Sequence, residues 1–338
     1  MCFIAFTERD IIMRIYRKAL ILLLSLTIAS FSALCGCSSK TATPSKSSSS
    51  ELSDDTNDEA YQAAKEGGLK ALGINPEKLG IKPVVTTDST KQAGYQLDAP
   101  AEGETVAVVK TSMGNFRMRF FPEVAPKAVG NFLKLAKSGK YNNTIFHRVI
   151  NGSLVQGGHI GSDEKQPNGE SASGAPFADE FCDKLLNIRG AVSMANSGRD
   201  TNGSQFFVNQ TNDKKFQQNG GWSYYDNIWK DCREQLKQYK DNAQFLSAYI
   251  DENGDKMINT YIVPNDVKSL YVKKGGNPNF DGALIAADIG KTVFAQVYSG
   301  MPVVDKIAAI KVDNKNVPKE NVIIKSVEIT KYSKPKAQ

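Results

Sequence analysis

Three blocks of the chain carry side chains that could do chemistry together. The first runs Phe146-His147-Arg148-Val149-Ile150-Asn151-Gly152-Ser153-Leu154-Val155-Gln156-Gly157-Gly158. The second is Ser193-Met194-Ala195-Asn196-Ser197-Gly198, followed by Thr201-Asn202-Gly203-Ser204-Gln205-Phe206-Phe207-Val208. The third is Lys291-Thr292-Val293-Phe294-Ala295-Gln296-Val297. They combine a permanently charged guanidinium with carboxamides and aromatic rings, a set suited to hydrogen bonding beside an apolar surface. A metal is not expected: the two histidines, His147 and His159, and the five cysteines form no CxxC pair and no cluster with zinc spacing. Taken singly, each residue has a plainer reading. Arg148 alone reads as a surface arginine, His147 as structural and His159 as an exposed loop residue. One of the adjacent Phe206 and Phe207 belongs in a core, because neighbours on a strand face opposite ways.

The elements that must hold these blocks read as a mainly β domain. Thr105–Lys110 and Asn115–Phe121 are strand-like, and Phe116, Met118 and Phe120 alternate with Arg117 and Arg119. Pro126 opens a helix whose apolar stripe is Val129, Phe132, Leu133 and Ala136, ended by Ser138-Gly139. Val303, Val304, Ile307 and Ile310 predict a second helix, and Asn321–Thr330 a last strand with Ile323, Val327 and Ile329 on one face. A hairpin, an amphipathic helix and further short strands suggest a closed antiparallel barrel. Residues 211–275 differ in character: polar, Trp/Tyr-rich at the start (Trp222, Tyr224, Tyr225, Trp229) and helically patterned over 226–249. They are expected to form a helical insertion in a loop, with aromatics at its surface.

The 338 residues are 41% hydrophobic and 23% charged, with 42 basic against 36 acidic residues. That composition excludes wholesale disorder and a polytopic membrane protein. The interleaved charges exclude a nucleic-acid footprint. Arg14, Arg17 and Lys18 precede an apolar run from Ala19 to Ala33, which ends at Leu34-Cys35-Gly36-Cys37. This pattern predicts a signal peptide over 1–36, starting at Met1 or Met13, and resembles a bacterial lipobox with Cys37 as the lipidated residue. A plain secretory signal and an uncleaved anchor are the alternatives. Residues 37–58, rich in Ser, Thr and Asp, then form a disordered tether. Residues 59–103 form a partly helical strap, 104–331 the folded domain and 332–338 a tail. The expected location is the extracytoplasmic face of a bacterial membrane. Cys182 and Cys232 are spaced to permit a disulfide there, but the reading as small buried hydrophobes is preferred.

Together the three blocks resemble the cyclophilin family of peptidyl-prolyl cis–trans isomerases over about residues 104–331. The resemblance implies an eight-stranded antiparallel barrel capped by two helices, proline-containing polypeptides as partners, no cofactor and a monomer. Arg148 would weaken prolyl amide resonance, Gln156 would orient it and contact the substrate backbone, Asn196 would bind the peptide main chain, and Phe207 would wall the proline slot. His147, Ser153, Leu154, Ala195, Ser197, Gln205, Asn279, Phe280 and Lys291 would line the remaining substrate site.

The pattern departs from the family at the slot. Ser153-Leu154 stands where Phe-Met is common, Asn279-Phe280-Asp281-Gly282 where Trp-Leu-Asp-Gly is usual, and Lys291 where a histidine normally precedes the strand. Two aromatic surfaces are thereby lost, so proline binding is expected to be altered and weaker. The leading expectation is an isomerase assisting the folding of secreted or surface proteins. The alternative is a catalytically weak or inactive peptide-binding or chaperone module.

Overall fold

The computed structural model describes residues 69, 72–75, 85–86, 90–161, 167–285 and 290–334. The expected signal peptide, Cys37, its tether and most of residues 59–89 lie outside the described residues. All of the described residues belong to one compact unit, Thr56–Gln338.

Eight strands close the expected antiparallel barrel: β1 Thr105–Thr111, β2 Gly114–Phe120, β3 Thr144–Ile150, β4 Leu154–Gly157, β5 Ala191–Met194, β6 Phe206–Asn209, β7 Val293–Ser299 and β8 Val322–Lys331. Their order is β8-β1-β2-β7-β5-β6-β4-β3, with β3 pairing back to β8. Alternation supplies the inside and the outside. On β2, Phe116, Met118 and Phe120 are buried, while Arg117 is exposed and Arg119 half-buried. Two helices complete the core, α1 (Pro126–Lys137) and, further along, Met301–Ala308. Phe132 of α1 packs within 5.7 Å, centroid to centroid, of Phe120, Tyr141, Phe206 and Phe294. The first turn of α1 is held from outside: Lys127 N and Ala128 N donate to the Glu180 carboxylate at 3.1 and 3.0 Å.

Two sequence expectations shift. The α1 stripe buries Leu135, while Leu133 is only half-buried. On β8 the pairing with β1 skips a residue between Ile324 and Ser326, a β-bulge that flips the face. Val322, Ile324 and Val327 therefore point inward, and Ile323 is 36% exposed.

The insertion is helical, as its pattern predicts: α2 Asp213–Gln218, α3 Gly221–Gln238, α4 Ala243–Asn253 and α5 Asn265–Lys274. The helix over Met301–Ala308 is α6. Its aromatics divide: Tyr224 is exposed as expected, Trp222 and Tyr225 are half-buried, and Trp229 is turned inward. Trp229 is 1% exposed and sits in a second apolar cluster with Leu236, Leu246, Ile250, Val267 and Tyr271. That cluster also takes in Leu186 and Ile188 of the segment leading into β5, so the insertion's core is anchored on the barrel. The residues before β1 dock by specific bonds. Gln96, fully buried, donates to Leu186 O and Gln296 Oε1 at 2.8 and 2.9 Å and accepts from Leu186 N at 2.7 Å. Cys182 and Cys232 lie buried in different clusters and are not joined.

Candidate functional site

Strand register places the candidate groups. Arg148 of β3 pairs with Gln156 of β4, Gln156 with Phe207 of β6, and Phe207 with Ser193 of β5, one continuous row across four strands. The neighbouring row is Val149, Val155, Val208 and Val192, all inside the barrel core. Because successive residues face opposite sides, the Arg148 row must lie on the outer face. A chain of polar contacts runs along it. Arg148 Nη1 donates to Gln156 Oε1 at 3.1 Å, and Gln156 Nε2 donates to Gln205 Oε1 at 2.8 Å. Gln205 Nε2 meets His159 Nδ1 at 2.6 Å and Pro167 O at 2.9 Å. Along this chain Gln205 is 5% exposed, Gln156 half-buried and Arg148 exposed. Gln156 thus has its acceptor turned to the arginine and its donor to Gln205, a fixed carboxamide that orients the cation. His159 is half-buried rather than an exposed loop residue, and His147 packs edge-on to it at 6.3 Å.

Beside this row lies an apolar cluster outside the barrel: Leu154, Ala195 and Phe207, with Phe280 packed edge-on to Phe207 at 5.2 Å. The glycine pair after Gln156 is a close approach as well as a turn. A Cβ at Gly157 would lie 2.8 Å from Ile145 O, and Gly158 has φ of 75° against the Phe206 ring. Only glycines let β3 and β4 meet here with Gln156 in register.

Asn196 and Ser197 follow Ala195 at the edge of this cluster. Asn196 Nδ2 donates to Asp179 Oδ1 at 3.0 Å and Gly290 O at 3.1 Å. Its carbonyl oxygen accepts from Lys291 Nζ at 3.2 Å, and its Oδ1 accepts from the same ammonium. Ser197 is exposed, its Oγ donating to Asn168 Oδ1 at 2.8 Å and its N to Thr201 Oγ1 at 2.9 Å.

A sequence profile of the cyclophilin type peptidyl-prolyl cis-trans isomerase/CLD family matches residues 106–238 and 257–329. The chain belongs to the cyclophilin family. A putative peptidyl-prolyl cis-trans isomerase of Staphylococcus aureus is 34% identical over 68% of this chain and 93% of its own length. A putative bifunctional phosphatase/peptidyl-prolyl cis-trans isomerase of Streptococcus pyogenes is 33% identical over 69% of this chain. The cyclophilin described here spans 40% of that longer relative. Among solved structures, a cyclophilin type isomerase of Cryptosporidium parvum is 23% identical, covering 68% of this chain and 99% of its own, with a TM-score of 0.43.

Of the residues that depart from the family pattern, Ser153 and Asn279 lie where the cyclophilin barrel meets its insertion. Ser153, half-buried in the turn between β3 and β4, accepts through its carbonyl from Gln210 N at 2.7 Å and Asn277 Nδ2 at 3.3 Å. Beside it Gly152 has φ of 78°, and the aliphatic stem of Lys215 from α2 crosses over it. Asn279 turns away from the Leu154–Phe207 cluster, its Oδ1 accepting from Tyr225 Oη of α3 at 3.3 Å. Lys291 N donates to Phe280 O at 2.7 Å, which ties the third block to the slot wall.

Two carboxyl groups that sequence reading passed over support the cyclophilin site from behind. Asp179, 6% exposed, accepts from Asn196, from Asn202 Nδ2 at 2.8 Å and from Asp200 N at 2.8 Å. Burial is the main reason its pKa is raised above the ordinary carboxylate value. Asp281, following Phe280, accepts from Asn187 N and Nδ2 at 2.6 and 2.7 Å and from Tyr271 Oη of α5. Burial pushes its pKa up to about 7 against the lowering effect of those donors. No local pattern marks Asp179. Asp281 was visible only as part of Asn279-Phe280-Asp281-Gly282.

Proposed function

We propose that this cyclophilin accelerates cis–trans isomerisation of X–Pro bonds, with Arg148 as the group that lowers the barrier. Turning such a bond breaks amide resonance, at an uncatalysed cost of about 18–20 kcal/mol. As the bond twists, the prolyl nitrogen becomes pyramidal and regains a lone pair. A guanidinium N–H directed at that lone pair stabilises the twisted form more than the planar one, which is the requirement for catalysis. A charge-assisted hydrogen bond is worth about 1.5–3 kcal/mol, and more where water is excluded. The observation that carries this reading is the Arg148–Gln156 contact of 3.1 Å on the same strand row as Phe207. It supports a cation fixed beside the Leu154–Ala195–Phe207–Phe280 cluster, where a prolyl ring would be buried. The ring would enter by displacing Phe280, the half-buried wall, since Phe207 is only 2% exposed. The peptide main chain would run along Asn196, in competition with the Lys291 ammonium.

That competition also favours a second reading, a peptide-binding module with little turnover, because the Asn196 carbonyl is already occupied by Lys291. Exchange NMR on an Ala-Pro peptide with wild type and Arg148→Ala separates the two. The isomerase reading expects cis–trans exchange catalysed by wild type and slowed tenfold or more by the substitution. Peptide binding without faster exchange would establish the module.

We further propose that the protein acts outside the cytoplasmic membrane, tethered through a lipid on Cys37. The support is sequence alone: the basic cluster Arg14-Arg17-Lys18, the apolar run to Ala33, and Leu34-Cys35-Gly36-Cys37. There it would assist secreted or surface chains whose slow X–Pro bonds limit folding. Metabolic labelling with a palmitate analogue, lost in Cys37→Ser, is the expected signature. Labelling that survives the substitution would refute it.

A further inference from the structure

The insertion covers more than apolar surface. Between α2, α3 and residues 276–279 lies a cavity of about 420 Å³, walled by Phe216, Tyr224, Tyr225, Lys256, Asn277 and Asn279. It adjoins the slot twice over. Asn279 precedes Phe280, the slot wall, and Asn277 Nδ2 donates to the carbonyl of Ser153, which precedes Leu154. We infer that this cavity is a second substrate subsite, taking an acidic side chain next to the proline on the side away from Asn196. The inference rests on the isomerase reading for the placement of the peptide.

The chemistry of the walls selects the charge. Among the described lining residues the charged side chain is Lys256, exposed at the end of the 3-10 turn Gly254–Lys256. Asn277 has nothing further to offer. Its Oδ1 accepts from Thr211 Oγ1 at 2.9 Å, and its Nδ2 serves Ser153 O and Asn209 Oδ1 at 3.3 and 2.8 Å. Asn279 has its Oδ1 engaged by Tyr225 Oη, which leaves its Nδ2, a donor, for the cavity. An ammonium and an amide N–H over aromatic walls match a carboxylate on a short apolar stem. A lysine or arginine side chain would meet Lys256 with like charge.

The departure at Asn279 thereby gains a use: the position joins the seam between barrel and insertion and becomes part of recognition. The volume is ample for one side chain, since a single water takes about 30 Å³ in the liquid. Lys256 is exposed and on the insertion, so exchanging it leaves both apolar cores untouched.

The test uses the full chain and a series of Ala-Pro peptides with Glu, Gln or Lys at each position flanking the dipeptide. Exchange NMR gives kcat/KM, and 15N-labelled protein reports the side-chain amide of Asn279. At one flanking position we expect Glu to be preferred over Lys by about fivefold or more, the worth of one partly exposed charge contact. The Glu peptide should move the Asn279 amide signals. In Lys256→Glu the Glu:Lys preference should invert, and salt should flatten it in wild type. Equal handling of Glu, Gln and Lys peptides would overturn the inference, as would a preference unchanged in Lys256→Glu. Asn279 signals that no peptide moves would do the same, however fast the turnover. Charge-selective binding with no acceleration of exchange would leave the subsite standing and sink the isomerase reading instead.

Discussion

The Arg148 row and the rim of the slot sit a few residues apart and are built by different means. Arg148, Gln156 and Phe207 stand on paired strands, and the valine row beneath them is locked in the barrel core. A one-residue slip would turn those valines outward, so burial itself holds the Arg148 row in register. Ser153, Asn279 and Lys291 stand in turns and loop ends. Their partners are Asn277, Tyr225 and Asn196, two of them on or beside the insertion. The Arg148 row is therefore positioned by the pairing register of a sheet, while the rim residues are positioned by turns and by what the insertion brings.

The two apolar cores extend the same contrast and give the largest expected effect. Trp229 anchors the insertion's cluster and has no place in the barrel's own. Trp229→Ala should cost about 3–5 kcal/mol, the usual loss on emptying such a site. Hydrogen exchange should rise across 213–274 while the β3, β4 and β6 amides stay protected. Equal loss of protection in the barrel would show one cooperative core and erase the distinction.

Asp281 lies on the seam and adds a pH dependence. Its pKa is about 7 in the fold, raised by burial from the ordinary value of 3.8. As pH climbs through that window the unfolded chain ionises first, while the folded protein keeps its proton. Stability carried by this group is therefore greatest below about pH 4, falls between about 4 and 7, and is level above. Asp179 and Glu180, also raised mainly by burial, push the same way, so the contrast must come from a variant. Asp281→Asn removes the ionisable group and keeps an oxygen acceptor for the Asn187 donors, while its amide nitrogen replaces the oxygen that accepts from Tyr271 Oη. Its stability relative to wild type should improve by about 2–4 kcal/mol from pH 4.5 to pH 8 in urea unfolding, since each tenfold change in proton affinity is worth about 1.4 kcal/mol. A difference that does not change with pH would remove Asp281 from the seam's energetics.

Ser153→Phe sharpens the comparison at the rim. A ring there would restore apolar surface beside Leu154, worth about 1 kcal/mol if half-buried, and should lower KM for an Ala-Pro peptide about fivefold with kcat little changed. A raised KM would mean that the Lys215 stem over Gly152 already fills that space.

Much of this was legible in the residues. The alternation of Phe116, Met118 and Phe120, the Pro126 helix and the two long motif blocks are local signals, and each has its counterpart in the barrel. What stayed hidden is what arises only when distant segments meet. The bulge at Ile324–Ser326 flips Ile323 outward, and no composition marks it. The surface expected for Trp229 is reversed because it joins a cluster that gathers several helices of the insertion and also takes in Leu186 and Ile188 from outside it. The Asp179 cluster joins residues more than a hundred positions apart once Lys291 is counted.

If a strand-fixed guanidinium lowers the barrier at a prolyl nitrogen, exchange NMR on Arg148→Lys alongside Arg148→Ala must register its loss. Arg148 is exposed, so neither change should move stability by more than about 0.5 kcal/mol. In Arg148→Ala kcat should fall tenfold to a hundredfold at nearly constant KM, with Arg148→Lys recovering only part, because an ammonium lacks the planar fork that Gln156 orients. Wild-type kcat in both variants would contradict that role for Arg148.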